Sequence, residues 1–135
     1  MSMNKDDDDD VLFFTFVKKL VNLNKSIRWA GIANQLGIII KETYREGLRP
    51  LLTSEENLEY AANTIARHKE RMKYEPKIGK LEYTLVKYEK VNRIMIPLNN
   101  DNNYLLFSLD VQEVDYDNII KENIIPFIEG KEVFE

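Results

Sequence analysis

The chain has 135 residues, 44% of them hydrophobic, enough apolar material for one core and one domain. It contains no cysteine, which excludes disulfides, thiolate nucleophiles and cysteine-bound zinc and fits a reducing cytoplasm. Net charge is −4, all of it from the one lysine and five aspartates of residues 1–10, since the remaining chain balances at 18 basic and 18 acidic side chains.

Asp6 to Asp10 is a low-complexity acidic run and reads as a disordered leader, residues 1–10, ahead of a single domain over 11–135. Leu12, Phe13, Phe16, Val17, Leu20 and Leu23 then fall at helical spacing and predict an amphipathic first helix, with Phe14 and Val21 outside the stripe. The apolar run at its start follows aspartates rather than a basic segment, so it is not a secretory signal. No stretch reaches the ~20 apolar residues that cross a bilayer. We therefore expect a cytoplasmic protein without a membrane contact.

A strand is predicted over Ile27–Ala33, a turn at Asn34-Gln35-Leu36-Gly37, and a second strand from Ile38 to about Tyr44. Gly47 and Pro50 break the chain before Thr53-Ser54-Glu55-Glu56, a capping box that opens a second helix ending near Tyr74. Its expected buried side carries Leu58, Ala61, Ala62, Ile65 and Met72, while Arg67, Lys69, Arg71 and Lys73 face outward. Three strands follow, over Leu81–Tyr88, Arg93–Leu98 and Tyr104–Leu109, with Pro97 marking an edge or a strand end. Asp115 or Asp117 caps a last helix, which Pro126 kinks or ends. The fold class is α+β: one five-stranded antiparallel sheet flanked by helices in the order α-β-β-α-β-β-β-α.

The chemistry is sparse. His68, the one histidine, has Thr64 and Met72 as its helical neighbours, so no carboxylate orients it and it reads as a surface or boundary residue. Asp101, Asp115 and Asp117 are the best oxygen ligands for a metal, but they lack the glycine and terminal glutamate of a calcium loop and read as turn and cap residues. The five glycines never cluster, so no phosphate loop can be written. No metal, cofactor or catalytic residue is expected, and the protein is not read as an enzyme.

Charge is nonetheless polarised. Arg67–Arg93 holds nine Lys/Arg against four Glu, whereas residues 94–135 hold two Lys against nine Asp/Glu. The interspersed glutamates and the acidic total argue against nucleic acid and for a solvated face or a charged protein interface. Trp29 alternates with Arg28 and reads as core, the other reading being an exposed aromatic anchor. An open sheet also leaves strand edges, which pairing in a homodimer would cover.

The hairpin Ile27-Arg28-Trp29-Ala30-Gly31-Ile32-Ala33-Asn34-Gln35-Leu36-Gly37-Ile38-Ile39-Ile40, set between two helices and followed by a three-stranded meander and a last helix, resembles the roadblock/longin branch of the profilin-like fold. Ile27–Ile32, Arg49-Pro50-Leu51-Leu52 and Pro97-Leu98-Asn99-Asn100-Asp101 are similar to segments of small, uncharacterised archaeal proteins of this type. The resemblance spans roughly residues 11–129. It implies homodimers that act as platforms or regulators for small GTPases and for motor or signalling assemblies. The expected function is therefore a non-catalytic regulatory or scaffolding interaction module, with a small GTPase or another protein as partner. Arg67, Arg71 and Lys73 on the second helix, with Tyr44, Arg45 and Arg49 after the hairpin, are the candidate partner-binding residues. The alternative is a small-molecule sensor with a pocket between sheet and helix.

Overall fold

In the computed structural model, which describes residues 5–112 and 115–130, five antiparallel strands form one sheet in the order β2-β1-β5-β4-β3. The strands are β1 (Ile27–Asn34), β2 (Ile39–Tyr44), β3 (Thr84–Lys87), β4 (Asn92–Leu98) and β5 (Asn103–Leu109). Helix α1 (Lys5–Val21) precedes them, α2 (Ser54–Met72) and the short α3 (Glu75–Ile78) join β2 to β3, and α4 (Tyr116–Asn118), a π-helical stretch (Ile119–Ile124) and α5 (Ile125–Glu129) close the described chain. The α+β class and the predicted element order both hold. Residues 131–135 of the expected domain lie outside the described residues.

Alternation along the strands gives the sheet two covered faces. Ala30, Ile32, Ile94, Ile96, Leu105 and Phe107 point to one face and pack with Phe16, Val17 and Leu20 of α1 and with Ile120 and Ile124 of the C-terminal helical stretch. Trp29, Ala33, Met95, Tyr104 and Leu106 point to the other and meet Ala61 and Ile65 of α2.

Several local expectations change in detail. Helix α1 is described from Lys5, and its first turns run through Asp6–Asp10. Carboxylates are favoured at that end by the helix dipole, and Asp10 reaches Lys41 of β2 at 3.2 Å. Val21 joins the core while Leu12 is half exposed, because the helix turns its Phe13–Phe16–Val17–Leu20 stripe to the sheet. On α2 the buried set is Asn57, Ala61, Ile65 and His68, and Leu58 faces out. The Thr53 capping box forms as read, with Glu56 N–H donating to Thr53 Oγ1 at 3.1 Å and Thr53 N–H donating to Glu56 Oε1 at 2.9 Å. Pro97 is tolerated in the interior strand β4 because β3 pairs only with Asn92–Met95 and stops short of it. The π-helical turn sits just before Pro126, the kind of local rearrangement by which a helix accommodates a missing N–H.

Candidate functional site

Strand register brings one row of side chains together across the whole sheet. Tyr44 pairs with Trp29, Trp29 with Ser108, Ser108 with Arg93, and Arg93 with Val86. All five residues belong to the face that α2 covers, and the small Ser108 leaves room for the large groups on either side to approach each other. The Trp29 indole lies back along its own strand over Gly31, where a Cβ would come within 2.6 Å of its Cζ2. Its Nε1–H donates to Glu42 Oε1 of β2 at 3.1 Å. Gly31 is thus the residue that lets a 2% exposed tryptophan lie flat on the sheet.

Arg93 completes the row. Its guanidinium carbon is 4.8 Å from the Trp29 ring and 4.4 Å from the Tyr60 ring of α2, two cation–π contacts on one side chain. Burial pulls the Arg93 pKa down, opposed by Tyr60, Tyr44, Tyr88 and Glu42 nearby. The Tyr60 and Tyr88 hydroxyls share a hydrogen bond of 3.2 Å, and burial, with that bond behind it, pushes the Tyr60 phenol up to about 12. Burial, followed by the Glu42 charge and hydrogen bond, also raises Tyr44.

Between this row and the N-terminal half of α2 lies a cavity of about 510 Å³. Trp29, Arg93 and Ser108 form its floor, and Asn57 and Tyr60 face them from the helix. The loop before α2 supplies apolar rim residues, among them the half-exposed Leu51. At the end of the sheet, Asp110 is bracketed by Arg28 at 2.9 Å and Arg45 at 2.8 Å. Burial raises the Asp110 carboxyl, and the two guanidinium hydrogen bonds more than offset it, leaving it below 3.8.

A second polar cluster lies further along the same face. Asn99, Asn100 and Asp101 are three consecutive left-handed residues, with φ of 49°, 54° and 64°, a conformation asparagine and aspartate tolerate better than most. This tight turn aims Asp101 inward, where its carboxylate accepts from His68 Nε2 at 2.7 Å and Lys80 Nζ at 3.1 Å. His68 is fully buried, so its reading as a surface or boundary residue is corrected. The reading looked for a carboxylate on the same helix, and the partner comes from a turn 33 residues away. Burial raises Asp101, but the His68 and Lys80 hydrogen bonds bring it below its ordinary 3.8. Burial, with the Asp101 charge and hydrogen bond behind it, pushes the neighbouring Tyr104 up to about 12. The histidine ring meets Tyr104 edge to face at 5.2 Å.

The candidate partner residues fall into two groups. Arg67 and Arg71 are exposed on α2, Lys73 is exposed at its C-cap, and Arg49 is exposed in the loop before it. Tyr44 and Arg45 are half-buried, the first lining the cavity and the second tied to Asp110 and to the Lys25 carbonyl. Among the described residues no hydrogen bond, ion pair or ring contact joins the two groups. No group of three or more His, Cys, Asp or Glu suited to a metal occurs among them either, and no helix is long and apolar enough to cross a membrane. The residues that sequence reasoning missed are Arg93, Tyr60 and Asn57. No local signal announced Arg93, whose place opposite Ser108, which also faces Trp29, is a matter of strand register.

A sheet in the order β2-β1-β5-β4-β3 with α1 and the C-terminal helix on one face and α2 on the other is the roadblock/longin-type fold. Comparison with solved structures bears this out. The chain is similar to Myxococcus xanthus MglB, with a TM-score of 0.67 at 9% identity over 96% of this chain and 86% of that one. It is similar to a Roadblock/LC7 domain from Streptomyces avermitilis, with a TM-score of 0.65 at 10% identity over 86% and 91%. It is also similar to the gliding protein MglB of Thermus thermophilus, with a TM-score of 0.61 at 9% identity over 97% and 96%. These three structures are bacterial and do not speak to the archaeal side of the resemblance. No protein-family model and no curated protein matches the chain.

Proposed function

We propose that the protein is a non-catalytic regulatory interaction module that works as a homodimeric platform for a protein partner, the roadblock resemblance pointing to a small GTPase or a signalling complex. The observation that carries this reading is the fold, matched over nearly the whole chain to MglB and Roadblock/LC7 structures, one of them MglB in a tetrameric arrangement. The sheet adds a second support. Among the described residues β3 has β4 as its one neighbour, so its other edge presents unpaired backbone groups, and Val86 on that edge is 44% exposed beside Tyr60 and Thr64 of α2. A short edge strand with an exposed apolar side chain next to a helix suits self-pairing. Arg67, Arg71, Lys73 and Arg49 supply the exposed cations for the partner, with Tyr44 and Arg45 behind them. Residues 1–10 act as an acidic leader to the single domain and are dispensable for assembly in this reading, and the cysteine-free chain works in the cytoplasm.

Light scattering on the full chain and on a form lacking residues 1–10 tests it. Each should give twice its own chain mass, which is 15.9 kDa for the full chain, and Val86→Lys should halve it. A monomer that persists at high concentration would remove the platform reading.

A further inference from the structure

The cavity beneath α2 holds an imbalance that the platform reading does not use. Among the described residues, Arg93 is a largely buried cation with no carboxylate in ion-pair range and no hydrogen-bond partner for its Nη2. Asn57 is 4% exposed, lines the same cavity, and leaves its Oδ1 without a partner as well. Buried polar atoms are satisfied in the great majority of native structures, so two orphans buried behind facing walls of one cavity mark polar groups that a small side-chain shift would bring to a ligand. Much of the remaining lining is apolar and flat, with the indole of Trp29, the rings of Tyr44 and Tyr60 and the leucines of the rim, while Arg28, Glu89 and Lys90 add charge. A volume of about 510 Å³ falls within the range of small-molecule sites.

Electrostatics select the sign of the occupant. Glu42, the carboxylate near Arg93, is already engaged by the Trp29 indole N–H. Asp110 is shared by Arg28 and Arg45, which leaves that cluster one positive charge in excess. Glu89, the carboxylate among the lining residues, is exposed and adjoins Lys90, so a cationic ligand would face Arg93, Arg28 and Lys90 against that single acid, whereas an anion finds a guanidinium already held in place by two rings. Holding the guanidinium between rings before the ligand arrives reduces the ordering cost of binding.

We propose that this cavity binds a small organic anion with a planar apolar body, of the aryl carboxylate class. The carboxylate meets Arg93, and the ring packs against Trp29 and the rim leucines. This proposal does not depend on the oligomeric state.

Trp29 is the sole tryptophan, so its indole N–H gives one unambiguous NMR reporter on the cavity floor. Naphthalene-2-carboxylate and its neutral isostere 2-naphthamide, titrated separately into the ¹⁵N-labelled full chain, test the proposal. We expect a saturable shift of the Trp29 Nε1–H signal with the carboxylate binding at least about tenfold more tightly than the amide, the size of one charge-assisted hydrogen bond. Arg93→Gln should bring the two affinities to within about twofold of each other, and Arg93→Lys should retain the preference for the anion. The isostere comparison uses the unmodified protein and so stands even if an Arg93 variant fails to fold. Equal affinities, no saturable shift up to millimolar probe, or shifts that leave the Trp29 signal unmoved would each overturn it.

Discussion

Gly31→Ala sets two effects of opposite sign against each other. Gly31 lies in a strand with no positive φ, so alanine fits the backbone and restricts the unfolded chain, a gain of about 0.7 kcal/mol. Against this, the new Cβ would stand 2.6 Å from Cζ2 and 3.1 Å from Cη2 of Trp29. That overlap cannot be relieved by a flexible chain end, because the indole is anchored at Glu42 and stacked against Arg93. Overpacking of this kind costs about 2 kcal/mol. The steric term wins, and the net loss is about 1.3 kcal/mol. Unfolding entropy of about 2.1 cal/mol/K per residue over 135 residues converts this to a fall in Tm of about 5 °C. Differential scanning calorimetry at one fixed protein concentration measures it, since self-association would otherwise shift Tm. Trp29→Phe removes the fused ring that carries both clashing atoms, so the double variant should be more stable than the sum of the single changes by about 1–2 kcal/mol. Additive single and double variants, or a Gly31→Ala protein as stable as the parent, would refute the claim that Gly31 exists to seat the indole.

Asp101→Asn should lower Tm at neutral pH by removing the charged partner of the buried His68 and of Lys80. The folded pKa of Asp101 lies below 3.8, so its contribution is fully present above that value and is lost as pH falls through the folded pKa. Melting curves from about pH 7 to pH 2 should therefore show a shallower acid limb in Asp101→Asn, with Asp110 accounting for what remains; an unchanged limb would contradict the ion-pair assignment. Gly37 and Gly47 have nearly the same positive φ, 81° and 78°, but a Cβ at Gly37 would lie 2.8 Å from Ala62 Cα whereas nothing lies within 4 Å of Gly47. Each alanine variant costs about 1–2 kcal/mol for the left-handed backbone, and Gly37→Ala should cost at least about 1 kcal/mol more by urea denaturation. Equal midpoints would mean the hairpin turn does not press on α2.

What the sequence made legible is what short-range physics decides. The Thr53–Glu56 box needs only four residues and forms as written. Alternation with Arg28 placed Trp29 in the core, where it is buried, and the Asn34–Gly37 turn appears with Asn34 Oδ1 accepting from Leu36 N–H at 2.9 Å. The readings that failed depend on distant partners. Nothing near His68 in the chain announces Asp101, and the left-handed turn that aims Asp101 inward is written only as a run of asparagines. Arg93 reads locally as one more cation in a basic stretch. It becomes part of an aromatic stack only when β4 and β1 are both set against Ser108 of β5, and register across three strands is not encoded in any one of them.

The two faces of the sheet are unequal in a way that bears on function. The α1 face is closed by an apolar cluster in which Phe16, Val17, Leu20, Phe107, Ile120 and Ile124 are all buried. The α2 face holds the buried histidine, aspartate and asparagine, the stacked arginine and the cavity. Helix α2 itself buries only two apolar side chains, Ala61 and Ile65, beside Asn57 and His68. Apolar burial is the largest favourable term in holding a layer in place, so α2 is the layer held by the smaller share of it. It is tied down instead by the His68–Asp101 pair, the Lys69 hydrogen bond to the Gln35 carbonyl, and the Tyr60 ring over Arg93. Helix α2 also carries the cations proposed for the partner and forms one wall of the cavity. Binding energy applied at either place therefore falls on the element whose position rests most on polar contacts, and least on the core.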